Sequence, residues 1–555
     1  MTALLTDNLP LLAGAPSGIK KLRELILELA VRGKLVPQDA NDEPASELLK
    51  RIGEEKARLV AEGKVKKQKP LVELADDKKP FELPQSWEWR RISDLLPESQ
   101  NGASSRGDSD GLSVTVLRLA DIREGEISLD DTRTLVLSAA SVRKYALEDG
   151  DVLLIRVNGS ADLVGRFVVC RANLQAIPCD HFIRMRFPRG VVDSGYLKIV
   201  GDSKLARNAI ARLFVSTAGQ KTVNQGHIGS LSVPLPPIAE QHRIVSKVDE
   251  LMALCDRLEA RQADADSAHA QLVHALLGSL TQASDATDFA QSWPRLAEHF
   301  DTLFTTESSI DALKQALLQL AVMGKLVPQD PSDEPASELL KRIAEERAQA
   351  ASQGRGRKVK TATDYRASNT EVTVPAGWSL STVGEVTICR DGERIAVSQA
   401  EREGRPKTYD YYGASGVIDK IDGFLFDKPL LLVGEDGANL INRSTPIAFM
   451  ARGKYWVNNH AHVLDGVSEA LLLYVQLYFN AIDLKPYVTG TAQPKMNQAK
   501  MNSIVLLLPP EAEQHRIVAK VDQLMALCDQ LKARLNQARQ VHGHLASVLV
   551  EQAVA

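Results

Sequence analysis

Three kinds of residue in this chain carry reactive or ligating chemistry: histidines, cysteines, and Gly-Lys pairs of the sort that open phosphate-binding loops. None stands at a spacing that completes a site. A P-loop places Ser or Thr after Gly-Lys so that a hydroxyl reaches a metal beside the cradled phosphates. Here Gly33-Lys34, Gly63-Lys64, Gly324-Lys325 and Gly453-Lys454 are followed by Leu, Val, Leu and Tyr. There is no His-Glu-x-x-His and no Gly-x-Gly-x-x-Gly after a strand, and Gly413-Ala414-Ser415-Gly416 is one residue too short for a nucleophile elbow. Both Pro-Pro pairs follow Leu, so the Asn/Asp-Pro-Pro-aromatic tetrapeptide of an amino-methyltransferase is absent. The five cysteines (Cys170, Cys179, Cys255, Cys389, Cys528) are scattered without a Cys-x-x-Cys pair, which gives neither a disulfide framework nor a zinc knuckle. His242 and His515, flanked by Gln241/Arg243 and Gln514/Arg516, read as the polar face of a helix start, with a capping or interhelical role in preference to a ligating one. Catalytic residues and metal ligands are therefore expected to be none.

The elements that hold these residues are bounded by composition. The chain has 555 residues, with 67 Lys+Arg against 71 Asp+Glu, a net charge of -4, 44% hydrophobic and 25% charged residues. That is ordinary for a globular protein and excludes a disordered chain, a collagen-like fibre and a strongly basic coat. At ~100–200 residues per domain, three to five domains are expected. Aromatics at 5% favour helices built on Leu, Ala and Val. The first residues, MTALLTDNLPLLAGAPSG, lack a basic segment and a long apolar core, and no apolar run approaches the ~20 residues that cross a bilayer. A cytoplasmic protein is expected.

The chain is duplicated. LAVRGKLVPQDANDEPASELLKRI (29–52) returns as LAVMGKLVPQDPSDEPASELLKRI (320–343), a shift of 291, and Trp87 matches Trp378 at the same shift. LPPIAEQHRIVSKVDELMALCDRLEAR (235–261) returns as LPPEAEQHRIVAKVDQLMALCDQLKAR (508–534), a shift of 273. The stretches between, about 90–215 and about 380–488, do not align, and the second is 18 residues shorter. Two matched frames carry two different inserts, as expected when inserts choose targets and the frame holds geometry.

The frame reads as helix. Ile244, Val248, Leu251, Cys255 and Leu258, and later Ile517, Val521, Leu524, Cys528, Leu531 and Leu535, alternate spacings of four and three. That heptad stripe needs a helical partner, and Cys255 and Cys528 read as buried thiols within it. The Pro pairs at 236–237 and 509–510 stand just before these helices, where a missing N–H costs little. The other repeated element predicts a helix over 20–31, a break at Gly33 and Pro37, and a second helix over 46–59. The inserts carry strand-like runs: VTVLRLADI (114–122), DVLLIRV (151–157), GRFVVC (165–170), LLLVGEDG (430–437) and KYWVNNHAHVL (454–464). In the middle of the chain the heptad helix (about 238–280) leads through a polar linker (about 281–308) into the LAVMGKL element. At the ends, the matching partners are the two termini. The termini should therefore lie together, with a pseudo-two-fold axis and long helices of roughly 60 Å.

On the LAVRGKLVPQ and LPPIAEQHRIV elements, each present twice, and on the alternation of constant and variable regions, the chain resembles the specificity subunit (HsdS) of type I restriction–modification systems over nearly its whole length. The resemblance implies two target-recognition domains that each read half of a bipartite double-stranded DNA sequence. It implies helices that set the gap between the halves, two DNA-methyltransferase (modification) subunits, and restriction/translocase subunits. Cofactors are expected to be none in this chain, the partners using S-adenosylmethionine, ATP and Mg2+. The expected fold is α+β: two α/β target-recognition domains separated by long helices packed as an antiparallel coiled coil. The corresponding boundaries are 1–80 (N-terminal helical region), 81–237 (first recognition domain), 238–372 (central region: helix, linker, helix), 373–510 (second recognition domain) and 511–555 (C-terminal helix paired with the N-terminal region).

Candidate DNA-reading residues are polar side chains in Gly-rich loops beside the strands. They are Arg118, Arg156, Asn158, Gly159 and Ser160 in the first insert, and Asp436, Asn439, Asn442 and Arg443 in the second. Near each insert's end STAGQKTVNQ (216–225) faces TGTAQPKMNQ (489–498), adding Gln220, Lys221, Asn224, Gln493, Lys495 and Asn497. Arg and Lys suit guanine edges, Asn and Gln adenine. The alternative is that these residues cap turns or touch phosphates. Charge supports DNA weakly: residues 112–230 hold 16 Lys/Arg against 12 Asp/Glu, and residues 376–510 hold 13 against 14. Low affinity for DNA without partners is therefore expected. The basic tracts GKVKKQKP (63–70) and GRGRKVK (354–360) read equally as solvated linkers or as phosphate-brushing hinges. Two other classes compete: a duplicated protein–protein scaffold with partner-binding inserts, and an enzyme with an unfamiliar site.

Overall fold

The repeated letters fold as helices with repeated ends. In a computed structural model, which describes residues 11–62, 79–104, 107–108, 110–217, 219–352, 373–490 and 493–554, the frame consists of α1 (Gly18–Val31), α2 (Ala45–Ala61), α3 (Ile238–Thr281), α4 (Glu307–Val322), α5 (Ala336–Ser352) and α6 (Glu511–Val554). The basic tracts at 63–70 and 354–360 lie outside the described residues. α1 and α4 both stop at a left-handed glycine, Gly33 at φ 68° and Gly324 at φ 71°. At that position the amides of Lys34 and Lys325 reach back to the carbonyls of Leu29 and Leu320, each at 2.9 Å. A Cβ at either glycine would meet a proline ring, Pro84 at 2.4 Å or Pro375 at 2.7 Å. These two Gly-Lys pairs are helix C-caps.

The chain divides into two units, Met1–Asp264 with Arg539–Ala555, and Ala265–Ala538. In the first unit, β1 (Glu88–Arg91) enters the insert and pairs antiparallel with β8 (Ser232–Leu235), which leaves it, Glu88 opposite Leu235. Between them an antiparallel four-stranded sheet runs β2-β6-β3-β5: β2 (Glu98–Asn101), β3 (Val152–Ile155), β5 (Phe167–Val169) and β6 (Phe182–Arg186). Two further strands, β4 (Val157–Asn158) and β7 (Gln220–Thr222), join with Val215–Thr217 in a small sheet. The core joins Leu22, Leu25, Ile26 and Leu29 of α1 to Val248 and Cys255 of α3, with Ala546 and Ala553 of α6 in the same cluster. Arg23 of α1 grips Asp256 and Glu259 of α3, while Lys21 Nζ donates to the carbonyl of Gly543 at 3.1 Å and to Ser547 Oγ at 2.9 Å. The heptad stripe at the start of α3 thus finds its helical partner in α1.

The second unit builds the same clasp from β9 (Ser379–Thr382) and β14 (Val505–Leu508), Ser379 opposite Leu508. Its four-stranded antiparallel sheet runs β10-β13-β11-β12: β10 (Ile388–Cys389), β11 (Leu430–Gly434), β12 (Ala448–Ala451) and β13 (Ala461–Asp465). Helix α4 packs into the core that holds Ile517, Val521, Leu524 and Cys528 of α6, together with Val273, Leu277 and Leu280 of α3. Cys528 is buried there, and burial pushes its thiol up to about 11.

Two expectations are corrected. The inserts are not α/β, because their four-stranded sheets are antiparallel. Parallel pairing of strands occurs only in a smaller sheet of each insert among the described residues, Leu112–Leu117 with Ala176–Pro178 and Tyr409–Gly413 with Tyr455–Val457. The architecture as a whole is α+β. Nor is 281–308 a polar linker: Ala286–Ala297 is helical, capped by Asp285 Oδ1 accepting from the amides of Thr287 and Asp288. Phe289, Trp293, Phe300 and Phe304 form a chain of ring contacts 5.0–5.5 Å apart on the second unit's core. Among the described residues no helix is long and apolar enough to cross a membrane.

Candidate nucleic-acid interface

Each insert is fixed to its long helix by one knot built twice. Trp87 Nε1 donates to the buried Glu240 carboxylate at 2.9 Å, and Trp378 Nε1 to Glu513 at the same distance. The second carboxylate oxygen of each accepts from a glutamine, Gln38 at 2.6 Å or Gln329 at 3.3 Å. Next in sequence, Gln241 and Gln514, also buried, donate to the carbonyls of Pro236 and Pro509, each at 3.0 Å. Arg243 and Arg516 then grip Asp42 and Asp333 bidentately. A tyrosine from each insert closes the knot: Tyr196 donates to the Pro234 carbonyl at 2.7 Å with its ring edge-on to Trp87, and Tyr474 to Leu507 at 2.6 Å with its ring edge-on to Trp378. Burial raises both glutamate carboxyls above their ordinary range, against the lowering effect of the indole and amide donors. The run EQHR, read from sequence as the polar face of a helix start, is thus half buried, with its Glu and Gln inside the knot. Only His242 and His515 of its letters are exposed, His242 lying 3.4 Å from Asp193.

The knots hold out the loops that the sequence singled out. In the first insert, Asn158 of β4 pairs with Lys221 of β7, and Lys221 Nζ reaches the Gly159 carbonyl at 3.4 Å. Arg156 threads between, its amide donating to His181, its carbonyl accepting from Val223 and its guanidinium donating to Asp180. Asn158, Gly159, Ser160, Gln220 and Lys221, far apart in sequence, thus form one surface. A Cβ at Gly159 would meet nothing within 4 Å. In the second insert the corresponding join is made by Asp436, which bridges to Lys495, while the amide of Gly437 donates to Pro494 and that of Met496 to Glu435. Gln493 is exposed beside this join.

Other candidates have local work. Asn224 caps the helix Gln225–Gly229 through the amide of His227 at 2.8 Å, and Asn497 caps Gln498–Asn502 through Lys500 at 2.9 Å. Asn439 closes its own turn on Ser444 and Thr445. Arg443 caps the carbonyl end of Glu469–Ala481 through Phe479, Asn480 and Ile482, and burial lowers its pKa. Arg118 is held by Asp121, whose hydrogen bond raises the guanidinium's pKa. Asn442 is exposed. Ser160, Gln220, Asn442 and Gln493 make no side-chain hydrogen bond among the described residues, so their donors and acceptors face outward.

A buried ion cluster that the sequence reading missed supports the second loop. His462 Nδ1 lies 2.6 Å from Asp391, its Nε2 lies 2.8 Å from the Met496 carbonyl, and Glu435 takes Arg394 at 2.8 Å and Lys495 at 3.2 Å. Burial alone would raise Asp391 and Glu435; the hydrogen bonds and charges of His462, Arg394 and Lys495 outweigh it and bring both below their ordinary range. Asp391, Glu435 and His462 lie close enough to hold a metal ion. However, both ring nitrogens already face oxygen acceptors, and two cations already answer the carboxylates. The arrangement reads as a strut for the Glu435–Gly437 turn.

Residues 375–539 match the family model described as the type I restriction modification DNA specificity domain. The chain is 35% identical to the type I restriction enzyme EcoAI specificity subunit of Escherichia coli, over 97% of this chain and 94% of that one. It is 35% identical, with the same coverage, to the EcoEI specificity subunit of Escherichia coli. A crystal structure of the HsdS subunit from Thermoanaerobacter tengcongensis aligns over 86% of this chain and 98% of its own at 16% identity and a TM-score of 0.41. The chain, through its likeness to the EcoAI and EcoEI subunits over nearly its whole length, belongs to the family of type I restriction enzyme specificity subunits.

Proposed function

We propose that this specificity subunit reads an asymmetric, bipartite double-stranded DNA target, one half through each insert, and carries no chemistry of its own. The observation that carries the reading is the repeated knot: the same Trp–Glu–Gln–Tyr constellation roots two unlike inserts on two like helices. A frame related by a pseudo-two-fold axis would present the two loop surfaces to half-sites about one helical turn apart, ~34 Å. Two different inserts within one chain would give two different half-sites, which a symmetric homodimer cannot do. The long helices, 44 residues each and so ~66 Å long, are taken to pack as an antiparallel coiled coil that sets the unread gap.

In the first insert the reading surface is Asn158, Gly159, Ser160, Gln220 and Lys221; in the second it is Asp436, Asn442, Gln493 and Lys495. Amide side chains there suit adenine edges and the lysines suit guanine or phosphate. The near-neutral charge of the chain fits a reader that shares its hold on DNA with two methyltransferase subunits and with restriction/translocase subunits in the cytoplasm. Those partners would use S-adenosylmethionine, ATP and Mg2+. Binding of a labelled target duplex by the chain with and without its methyltransferase tests the division: affinity should fall sharply when the methyltransferase is omitted, and tight specific binding by the chain alone would contradict it.

A further inference from the structure

Helices α3 and α6 present nearly the same face to nearly the same partner. Between residues 240–261 and 513–534 only four aligned positions differ: Ser246/Ala519, Glu250/Gln523, Arg257/Gln530 and Glu259/Lys532. The apolar stripe, Ile244/Ile517, Val248/Val521, Leu251/Leu524 and Cys255/Cys528, is identical, so apolar packing gives α1 and α4 no means of telling the two long helices apart. Within this stretch the one charge reversal is Glu259 to Lys532, and it is answered on the short helices. Lys20 in the first copy becomes Asp311 in the second, and Pro16 becomes Glu307. In the first unit Glu259 lies 2.5 Å from Arg23 and lines one cleft with Lys20. In the second, Lys532 lies 3.2 Å from Asp311 and 3.2 Å from Glu307, while Lys314, the counterpart of Arg23, holds Asp529 at 2.5 Å.

We infer that this reciprocal reversal is a pairing code: it makes each short helix select the long helix of its own copy and reject that of the other copy, whether in the same chain or in a second copy of this chain. Against the wrong partner, Lys532 would face Lys20 and Arg23, and Glu259 would face Asp311 and Glu307. Exposed ion pairs stabilise a helix contact little. Discrimination, however, adds the attractions lost to the repulsions gained at several positions, which gives roughly a tenfold preference. A duplicated frame needs this, because a short helix on the wrong long helix would seat its insert at the wrong end or join two chains.

The code is separable from simple stabilisation. Lys532→Glu alone puts a third acid beside Asp311 and Glu307 and should lower the melting temperature of the full chain. Adding Asp311→Lys restores an attractive pair within the copy and should restore melting. The double variant, however, makes the second copy match the first at 20/311 and 259/532, leaving only Glu307 unmatched, so the selection carried by those two positions is lost. After unfolding and refolding of the full chain at low salt, zero-length carbodiimide coupling read by mass spectrometry should then reveal bonds joining Lys314 to Asp256, an amine and a carboxylate that wild type also carries and that meet only when α4 sits on α3. These should rise roughly tenfold over wild type. A double variant that melts like wild type and yields only couplings within each copy would overturn the code. So would failure of Asp311→Lys to restore the melting temperature lost in Lys532→Glu.

Discussion

Trp87 Nε1 and the Glu240 carboxylate, 153 residues apart in sequence, meet at 2.9 Å beneath the clasp through which the first insert enters and leaves. Trp378 and Glu513 repeat the contact in the second unit. The bond ties the orientation of an insert to the first turn of its long helix. Trp87→Phe keeps an aromatic ring but strips one oxygen of a buried carboxylate of its indole donor, leaving only Gln38 on the other, at a cost of about 1–3 kcal/mol. Calorimetry of Trp87→Phe and Trp378→Phe should show each destabilised by that amount, with hydrogen exchange rising around the altered knot only.

The same glutamates impose a pH dependence. Burial raises the carboxyls of Glu240 and Glu513 above the ordinary 4.5, so the folded state holds their protons to higher pH than the unfolded state does. Their contribution to stability is complete below pH ~4.5 and is lost as pH rises through the raised values. The stability difference between wild type and Glu240→Gln/Glu513→Gln, measured by denaturant unfolding, should therefore shift in the variant's favour as pH rises from 4 towards neutrality. A difference that ran the other way would mean the carboxylates are stabilised in the fold.

Reading residues and capping residues should separate. Gln220→Ala or Lys221→Ala should relax recognition in one half of the target and Gln493→Ala in the other, by about 1–3 kcal/mol for a base-contacting side chain. Asn224→Ala and Asn497→Ala remove helix caps and should instead cost about 1 kcal/mol of stability, leaving the sequence read unchanged. Methylation patterns with the partner present, set beside melting curves, distinguish the two classes.

The frame was legible in the sequence and the knot was not. Matching shifts of 291 and 273 located the frame helices, and apolar runs such as LLLV located strands such as β11. Periodicity cannot reveal that a polar run is buried: Gln241, His242 and Arg243 read as the polar face of a helix start, because the partners that bury the run, Trp87 and Gln38 on Glu240, lie 153 and 202 residues away in sequence. The signal was present in Trp87 and Trp378, which recur at the frame's shift with Pro84 and Pro375 although the residues on either side of each Trp do not. Phe289, Trp293, Phe300 and Phe304 likewise stand at helical spacings of four and seven inside a stretch that composition read as linker. Among the candidate readers, Asn224, Asn439, Asn497 and Arg443 were indistinguishable from Gln220 and Gln493 by residue type; only their local hydrogen bonds separate capping from exposure.

The gap between half-sites should follow helix length. An insertion after Leu258, within the heptad stripe, would adjoin the Arg23–Glu259 contact. Residues 261–268 of α3 and 537–542 of α6 are exposed, so about seven residues (two turns) added in both runs lengthen the helices while sparing the cores. The unread gap should lengthen and both half-site sequences should persist. Altered half-sites at an unchanged gap would remove the helices from any role in spacing.

Genome-wide mapping of methylated bases, in a host carrying this chain and its partner methyltransferase, tests the central claim most directly. The subunit should impose one asymmetric bipartite motif, and replacing the second insert between its clasp strands Ser379–Thr382 and Val505–Leu508 should change one half of that motif while the other half stays fixed. Methylation without a sequence motif, or a motif whose two halves change together, would contradict it.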